Sequence, residues 1–573
     1  MSIIQFKEAN CKNCYKCIRS CPVKVIAFID DQARIVESEC MLCGNCLSVC
    51  PQNAKSVRSE VETVKGFIRK KEKVYVSLAP SFISAFENTD EKWLYAALRR
   101  LGFTHIEETA IGAEQVSKQY DRLINENQME NIITTCCPSI NLLVQKYYPE
   151  LVNQLAPVVS PMIAHAKMLR ETYGSRIRVV FIGPCLSKKD ECNDLQNDGM
   201  IDAVITFEEL DVWLGDEGID CSTDFSEELK GAKDLNARIY PVPGGILRTL
   251  ERRRNKNYQC ISVDGVDRCM KILDSIKNGG LQNYFIEMNS CAGGCIAGPC
   301  MRHIKGGFLE ARERLIAYLK RGLKEEKLLR TEDTKVNMKK VFFDLSRKVE
   351  IPTEAIIQGI LNSIGKFTPD KELNCGACGY SSCRDKAAAV YHNKAQLHMC
   401  LPYMRERAES ISNLIINTTP NAIFALDTEL RIQEANFSAQ KIFGLSDTNL
   451  EGRSIFDVLA CEDFRNVIDN RESVYDKKYY YEKYDMTVEQ SIIFVPEQNV
   501  VVAIIKDITD EEKNRRQMHR MREENAELAQ KVIEKQMRVA QEIASLLGET
   551  TAETKVALTK LKKSIMSEMG DDK

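Results

Sequence analysis

Twenty-three cysteines in 573 residues constrain this chain more than any other feature. Cys11, Cys14, Cys17 and Cys21 follow the spacing C-x2-C-x2-C-x3-C with Pro22 next, and Cys40, Cys43, Cys46 and Cys50 repeat it before Pro51. Five more fall in three short motifs: TTCCPSIN around Cys136 and Cys137, GPCLSKKDE around Cys185, and NSCAGGCIAGPC around Cys291 and Cys295. A last group, NCGACGYSSC, supplies Cys375, Cys378 and Cys383, with Cys400 further on. In a reducing compartment disulfides are not expected. Close spacings instead suit thiolates that hold soft iron–sulfur clusters. Cys192, Cys221, Cys260, Cys269, Cys300 and Cys461 are left as plain thiols.

The length predicts several domains, each with its own core or pinned by metal. A net charge of -3 argues neither for nucleic-acid binding nor for a strongly acidic tail, and 44% apolar residues are ordinary for a soluble protein. No charged-then-apolar leader precedes Cys11. No apolar run approaches the roughly 18 residues that span a bilayer. These readings predict a cytoplasmic protein with no membrane partner.

The tandem cysteine runs resemble bacterial two-cluster ferredoxins, in which the fourth cysteine of each run ligates the other cluster. The resemblance implies one [4Fe–4S] cube on Cys11, Cys14, Cys17 and Cys50, and a second on Cys40, Cys43, Cys46 and Cys21. A zinc knuckle is the alternative, and eight cysteines in a tandem repeat fit cubes better. Two adjacent cubes make a wire for electrons.

Further on, KVYVSLA (Lys73–Ala79), RVVFI (Arg178–Ile182) and AVITF (Ala203–Phe207) read as strands. Helical patterns lie between them, as at Trp93–Leu101 and Ile140–Tyr147. This is an α/β pattern, and cysteine motifs just after strands put ligands at the ends of a sheet.

The three middle motifs resemble those of [FeFe]-hydrogenases, whose H-cluster joins a [4Fe–4S] cube to a di-iron unit carrying CO, cyanide and a bridging dithiolate. The resemblance implies that Cys137, Cys185, Cys291 and Cys295 hold the cube, with Cys295 bridging to the di-iron unit. It implies Cys136 as proton donor and Lys188 as hydrogen-bond donor to a cyanide, a role that suits an ammonium facing an anion. A plain [4Fe–4S] domain, as in the hydrogenase-like assembly proteins of eukaryotes, is the alternative. Cys136 and Lys188 serve only the di-iron unit and argue against it.

The departures from the family pattern carry equal weight. Gly183 and Asn289 stand where catalytic members have methionines against the di-iron unit. Ile140 replaces an aromatic residue. The glutamates of the family's proton path correspond to Val116 and Gln119 on a helix near Gly112–Tyr120, and the relay serine to Ala156. Glu287 is an acid that could serve instead, a role weighed against a structural or solvated one. Such changes alter proton access and predict slow turnover.

Downstream, residues from about Glu310 to Ser363 read as mainly helical, with a charge run at Lys320–Lys327 that reads as a solvated face. Cys375, Cys378, Cys383 and Cys400 resemble a small [4Fe–4S] domain, with zinc as the alternative. Residues from about Glu409 to Thr509 resemble a PAS domain: a strand Ala422–Leu426, a turn at Asp427, Asn436 before a short helix, and a last strand closing in Asp507-Ile508-Thr509. The six histidines, at 105, 165, 303, 392, 398 and 519, all lie outside it, so a histidine-ligated haem is not expected there. From Asp510 the tail reads as one long helix. Met518, Met521, Leu528 and Val532 form a heptad seam with Asn525 in it, shifting to Ile533, Met537, Ala540, Ala544 and Leu547. A dimeric coiled coil and a lone packed helix are both open.

The expected architecture is multidomain, α/β and α+β. It comprises a two-cluster ferredoxin-like domain (1–58), an H-cluster domain (72–310), a helical linker (311–365), a [4Fe–4S] domain (366–404), a PAS domain (405–511) and a helical, coiled-coil tail (512–573). The expected function is a slow sensory hydrogenase that reversibly oxidises H2 to protons and electrons and relays the redox change to the PAS and tail. Expected partners are ferredoxin, hydrogenase maturation proteins, a separate kinase or phosphatase, and a second copy of the chain. A metabolic ferredoxin-linked hydrogenase and a non-catalytic iron–sulfur scaffold are the other readings.

Overall fold

Apolar, β-branched runs build two parallel sheets that share the cysteine motifs between them. The first has the order His105–Glu108, Val74–Leu78, Arg178–Gly183, Ala203–Thr206, all parallel. Its central strands are buried along their length, as expected of a sheet covered on both faces. The second has the order Gln259–Asp264, Tyr284–Asn289, Ile132–Ile133. The computed structural model describes the chain except residues 1, 87–90, 198, 220–235, 251–256, 302–306, 323–334, 446–449, 548–551 and 568–573. Cys221, His303 and the 323–327 part of the charge run lie outside the described residues.

The strand expected over Ala203–Phe207 stops at Thr206. Thr206 and Glu209 form a reciprocal capping box that starts the helix Phe207–Asp216, which takes Phe207 out of the sheet. The mainly helical linker is also corrected. Helices Gly307–Gly322 and Glu354–Asn362 are present, but residues 335–352 form none. There the chain is an extended strap over the H-cluster domain. Val159 N donates to Met338 O, Lys340 N to Pro157 O, and Leu345 N to Gln145 O. The strap's backbone groups thus find partners outside itself, which removes the incentive to coil.

Ferredoxin-like hairpins pair Ile4–Phe6 with Lys55–Val57 and Ile26–Ile29 with Gln32–Ile35. These, the two parallel sheets, the strap and the last cysteine group form one unit, Met1–Met404; Arg405–Lys573 forms a second.

In the second unit five antiparallel strands run in the order Ile432–Ala435, Ala422–Leu426, Val500–Asp507, Met486–Val495, Val474–Tyr481. Asn436 fixes the entry. Its Oδ1 accepts from Ile423 N and Ala439 N, and its Nδ2 donates to Ile416 O and Asn421 O. Asp507 Oδ1 accepts from Thr509 N and from Thr509 Oγ1, turning the last strand into the helix Thr509–Leu547. The tail is described as two helices, with Ala552–Ser567 the second. On the first, Met518, Met521, Leu528 and Val532 are all more than half exposed. No described helix is long and apolar enough to cross a membrane.

Candidate active site and cluster relay

Each cysteine of the three middle motifs stands where a strand has just ended. Cys137 precedes the helix Pro138–Tyr147 as its N-cap residue, with Pro138 in the first turn, where a missing N–H costs nothing. Cys185 follows Arg178–Gly183, and Cys291 and Cys295 follow Tyr284–Asn289. Two sheets therefore bring ligands to one cavity of about 100 Å³, lined by Cys136, Cys137, Cys185, Cys295, Lys188 and Asn289 among mostly apolar neighbours. Burial, and then the neighbouring thiols, push Cys137, Cys291 and Cys295 up. Neighbouring thiols that raise one another's pKa are the arrangement a cation-rich cluster relieves. The donor set fits the cube.

Lys188 is buried. Its Nζ donates to Glu191 Oε2 at 2.7 Å and to Cys136 O at 3.2 Å. Burial works against the ammonium, but Glu191 and the thiols of Cys185 and Cys136 outweigh it, so it stays charged. An ammonium has three donors, so one remains for an anionic ligand in the cavity. The Cys136 thiol is pushed up to about 12 by burial and stays protonated. Tyr120 hydroxyl lies 3.2 Å from its sulfur and accepts from Thr135 N at 3.0 Å. Ser81, also on the cavity wall, has a buried hydroxyl with no partner among the described residues.

Gly183 has a physical reason. A Cβ there would sit 2.6 Å from two ring atoms of Phe181 and 3.0 Å from Ala79 Cβ. The Phe181 ring lines the cavity and fills the place a side chain at 183 would need. Asn289 turns its amide to Glu287, donating to Oε1 at 3.2 Å. Glu287 is fully buried and also accepts from Gly244 N and Leu247 N; burial pushes it up to about 7 against these bonds. Val116 and Ala156 are buried apolar positions, so the family's proton route has no acid or hydroxyl at either. Phe181, Tyr120 and Glu191 went unnoticed in the sequence: Tyr120 reaches Cys136 from a separate helix, whereas Phe181 and Glu191 sit two and three residues from Gly183 and Lys188 on the same strand and helix, a spacing that could have found them.

The ferredoxin-like loops abut this site. Gly44, at φ +76°, lies so close to Pro299 and Leu186 that a Cβ would come within 2.4 Å and 2.6 Å of them. Ser139 Oγ donates to Leu42 O, and Lys146 Nζ to Cys40 O. Cys291 feels the charge of Cys43, and Cys43 and Cys46 feel Cys21. Of the eight ferredoxin-like cysteines, those around Cys40 and Cys43 thus stand beside the cavity. Cys11 and Cys17 are neighbours in turn.

The last cysteine group also converges. Cys375, Cys378, Cys383 and Cys400 line a second small cavity with Lys366 and Lys386. Ser382 and Asp385 cap the helix that begins with Cys383. This segment docks on the ferredoxin-like part: Lys24 Nζ donates to Gly379 O at 2.9 Å, and Phe28 N to Lys394 O at 2.8 Å. Tyr380 sits within the fields of both Cys378 and Cys21.

Residues 72–299 match the iron only hydrogenase large subunit, C-terminal domain family. Residues 3–51 match a 4Fe-4S dicluster domain, 372–402 a putative Fe-S cluster family and 413–478 the PAS fold. The chain is an [FeFe]-hydrogenase-like, PAS-containing protein. The hydrogenase-like chain is 27% identical over 388 residues to iron hydrogenase 1 of Clostridium pasteurianum, covering 49% of this chain and 67% of that one. A solved [FeFe]-hydrogenase structure is 18% identical with a TM-score of 0.40, covering 48% of this chain and 91% of that one. The cytosolic Fe-S cluster assembly factor NAR1 of Candida albicans is 23% identical over 191 residues, covering 28% of this chain and 32% of that protein.

Proposed function

We propose that this hydrogenase-related chain is a sensory [FeFe]-hydrogenase. One observation carries the reading: the cavity keeps every residue that holds an H-cluster and loses those that speed it. When bound, the H-cluster supplies the cleavage of H2 into protons and electrons. Cys137, Cys185, Cys291 and Cys295 would hold the cube, and Lys188, with one N–H left beyond Glu191 and Cys136 O, would donate to an anionic ligand in the cavity. Cys136 keeps its proton at pH 7 and hands it on at Sγ, with Tyr120 fixing the sulfur. Glu287, through Asn289, is a second acid near the cavity. Phe181 over Gly183, and Val116 in place of an acid, make turnover slow.

Cys40, Cys43, Cys46 and Cys21 would hold one cluster and Cys11, Cys14, Cys17 and Cys50 a second, supplying a path for electrons away from the cavity, and Cys375, Cys378, Cys383 and Cys400 would hold a third that branches from it. The PAS domain and the exposed seam of the Thr509–Leu547 helix pass the change to a kinase or phosphatase as a homodimer. Maturation proteins supply the di-iron unit. Likeness to an assembly factor supports a non-catalytic scaffold as a second reading. Infrared bands of CO and cyanide after maturation, with H2 oxidation far slower than in metabolic enzymes, are the expected result. Absent bands leave the scaffold; fast turnover with ferredoxin leaves a metabolic hydrogenase.

A further inference from the structure

A row of polar side chains crosses the first sheet where hydrocarbon would be expected. Side chains alternate along a strand, so Tyr75 and Ser77 share a face, and His105 and Glu107 share one. Tyr75 pairs with His105 and Ser77 with Glu107, which puts all four on the same face. The helix Pro161–Tyr173 covers it and sets His165 among them. Ser77 and His165 are 0% exposed. Burying such groups costs free energy unless each is hydrogen-bonded, and here each is. Thr109, on the cavity wall, has its Oγ1 2.8 Å from Ser77 Oγ. Ser77 Oγ lies 2.9 Å from His165 Nδ1, and His165 Nε2 lies 3.3 Å from Glu107 Oε2. Glu107 Oε1 lies 2.7 Å from His105 Nε2 and accepts from Tyr173 hydroxyl at 2.8 Å. The side chains of Glu107 and His105 are 24% and 33% exposed.

We propose that Thr109, Ser77, His165 and Glu107 form a proton relay between the cavity and the surface, distinct from Cys136 and Glu287. It rests on the reading that the cavity holds an H-cluster. The hydroxyls and the ring can each give and take a hydrogen bond, and the contacts allow one sense along the row: Thr109 donating to Ser77, Ser77 to His165 Nδ1, and, in the Nε2–H tautomer, His165 to the Glu107 carboxylate. In an outward step Glu107 takes the proton on Nε2, Nδ1 takes that of Ser77, Ser77 that of Thr109, and Thr109 one from the cavity. Four bonds to hydrogen break, four form, and no electron moves. Burial opposes the Glu107 carboxylate, but the bonds from His105, His165 and Tyr173 outweigh it, so it starts ionised and ready to accept. Solvent then collects the proton beside His105. The ring is left in its other tautomer, and the relay resets only when that buried ring and the hydroxyls reorient. The order Ser77–His165–Glu107 is also that of a hydrolytic triad. Ser77 is closed off in the central sheet with Thr109 against its hydroxyl, so it has no room to attack a substrate.

The test uses the full chain matured with its H-cluster, with CO and cyanide infrared bands recorded for each protein. Ser77→Ala breaks the row with little change of shape, and Glu107→Gln keeps the shape without the acceptor charge. Two quantities are read: steady H2 oxidation, and the rate at which the infrared bands respond to a step from N2 to H2, in H2O and in D2O. Both variants are expected to respond about tenfold more slowly or worse, with a changed solvent isotope ratio. A merely structural row would lower the melting temperature and leave the isotope ratio alone. Band-positive variants with wild-type rates and isotope ratio overturn the relay. A wild-type protein without CO and cyanide bands overturns the H-cluster reading and the relay with it.

Discussion

At the scale of single residues the cavity separates groups that hold a cluster from groups that serve it. Cys136 is the sharpest case: it is protonated, touches Tyr120, and is not needed for ligation. Cys136→Ala is expected to cut H2 turnover at least about a hundredfold while the CO and cyanide bands persist; retained activity would show that protons bypass it. Gly183 and Phe181 form a coupled pair. Gly183→Met alone should cost a few kcal/mol because the new side chain meets the Phe181 ring. Combined with Phe181→Ala it should cost far less than the sum of the single changes, a non-additivity that a denaturation cycle measures. Glu287 ties the site to pH. Burial lifts its folded pKa from the usual 4.5 to about 7, so the folded state holds the extra proton. Its contribution is fully present below about 4.5 and is lost as pH rises through about 7, on the order of 3 kcal/mol in all. Glu287→Gln should flatten that fall, read as melting temperature against pH.

At the scale of elements, ligand spacing is local and was legible; what surrounds the ligands was not. Cys185 could be put at a strand end from RVVFIGPC because strand, turn and thiol are consecutive. Phe181 shares a strand with Gly183 and Glu191 shares a helix with Lys188, so only their side-chain directions were hidden; His165 against Ser77 and Glu107 depends on how separate elements stack, and no spacing records that. The strap over residues 335–352 was missed for the same reason: its hydrogen bonds go to Val159, Pro157 and Gln145, far away in sequence. The Asn436 and Asp507–Thr509 corners of the PAS fold were legible, since each is a short side-chain-to-backbone cap. The loop around Gly44 is where two domains come nearest. Gly44→Ala adds a Cβ in contact with Pro299 at a left-handed φ, so it should cost about 1–3 kcal/mol. Electron paramagnetic resonance should then show slower reduction of the ferredoxin-like clusters by H2.

For the whole molecule, the proposed sensory role rests on the exposed seam of the Thr509–Leu547 helix and on the docking of the last cysteine group. Met518→Glu with Leu528→Glu should convert a dimer into a monomer by analytical ultracentrifugation, leaving the PAS core folded. The docking has a further consequence. Lys24, three residues after Cys21, donates to Gly379 O beside Cys378, so if each cysteine group holds a cluster, as proposed, the last would hang off the wire at a junction rather than at its end. A side branch with no outlet carries no steady current; it settles at the potential of the point it touches. It reads the H2/H⁺ couple as a voltmeter does, where a cluster at the end of the line would count turnover as an ammeter does. Its reduced fraction should follow the pressure of H2 and stay the same when turnover is made slower still. On such a branch a sluggish catalyst loses no signal, only the time taken to settle.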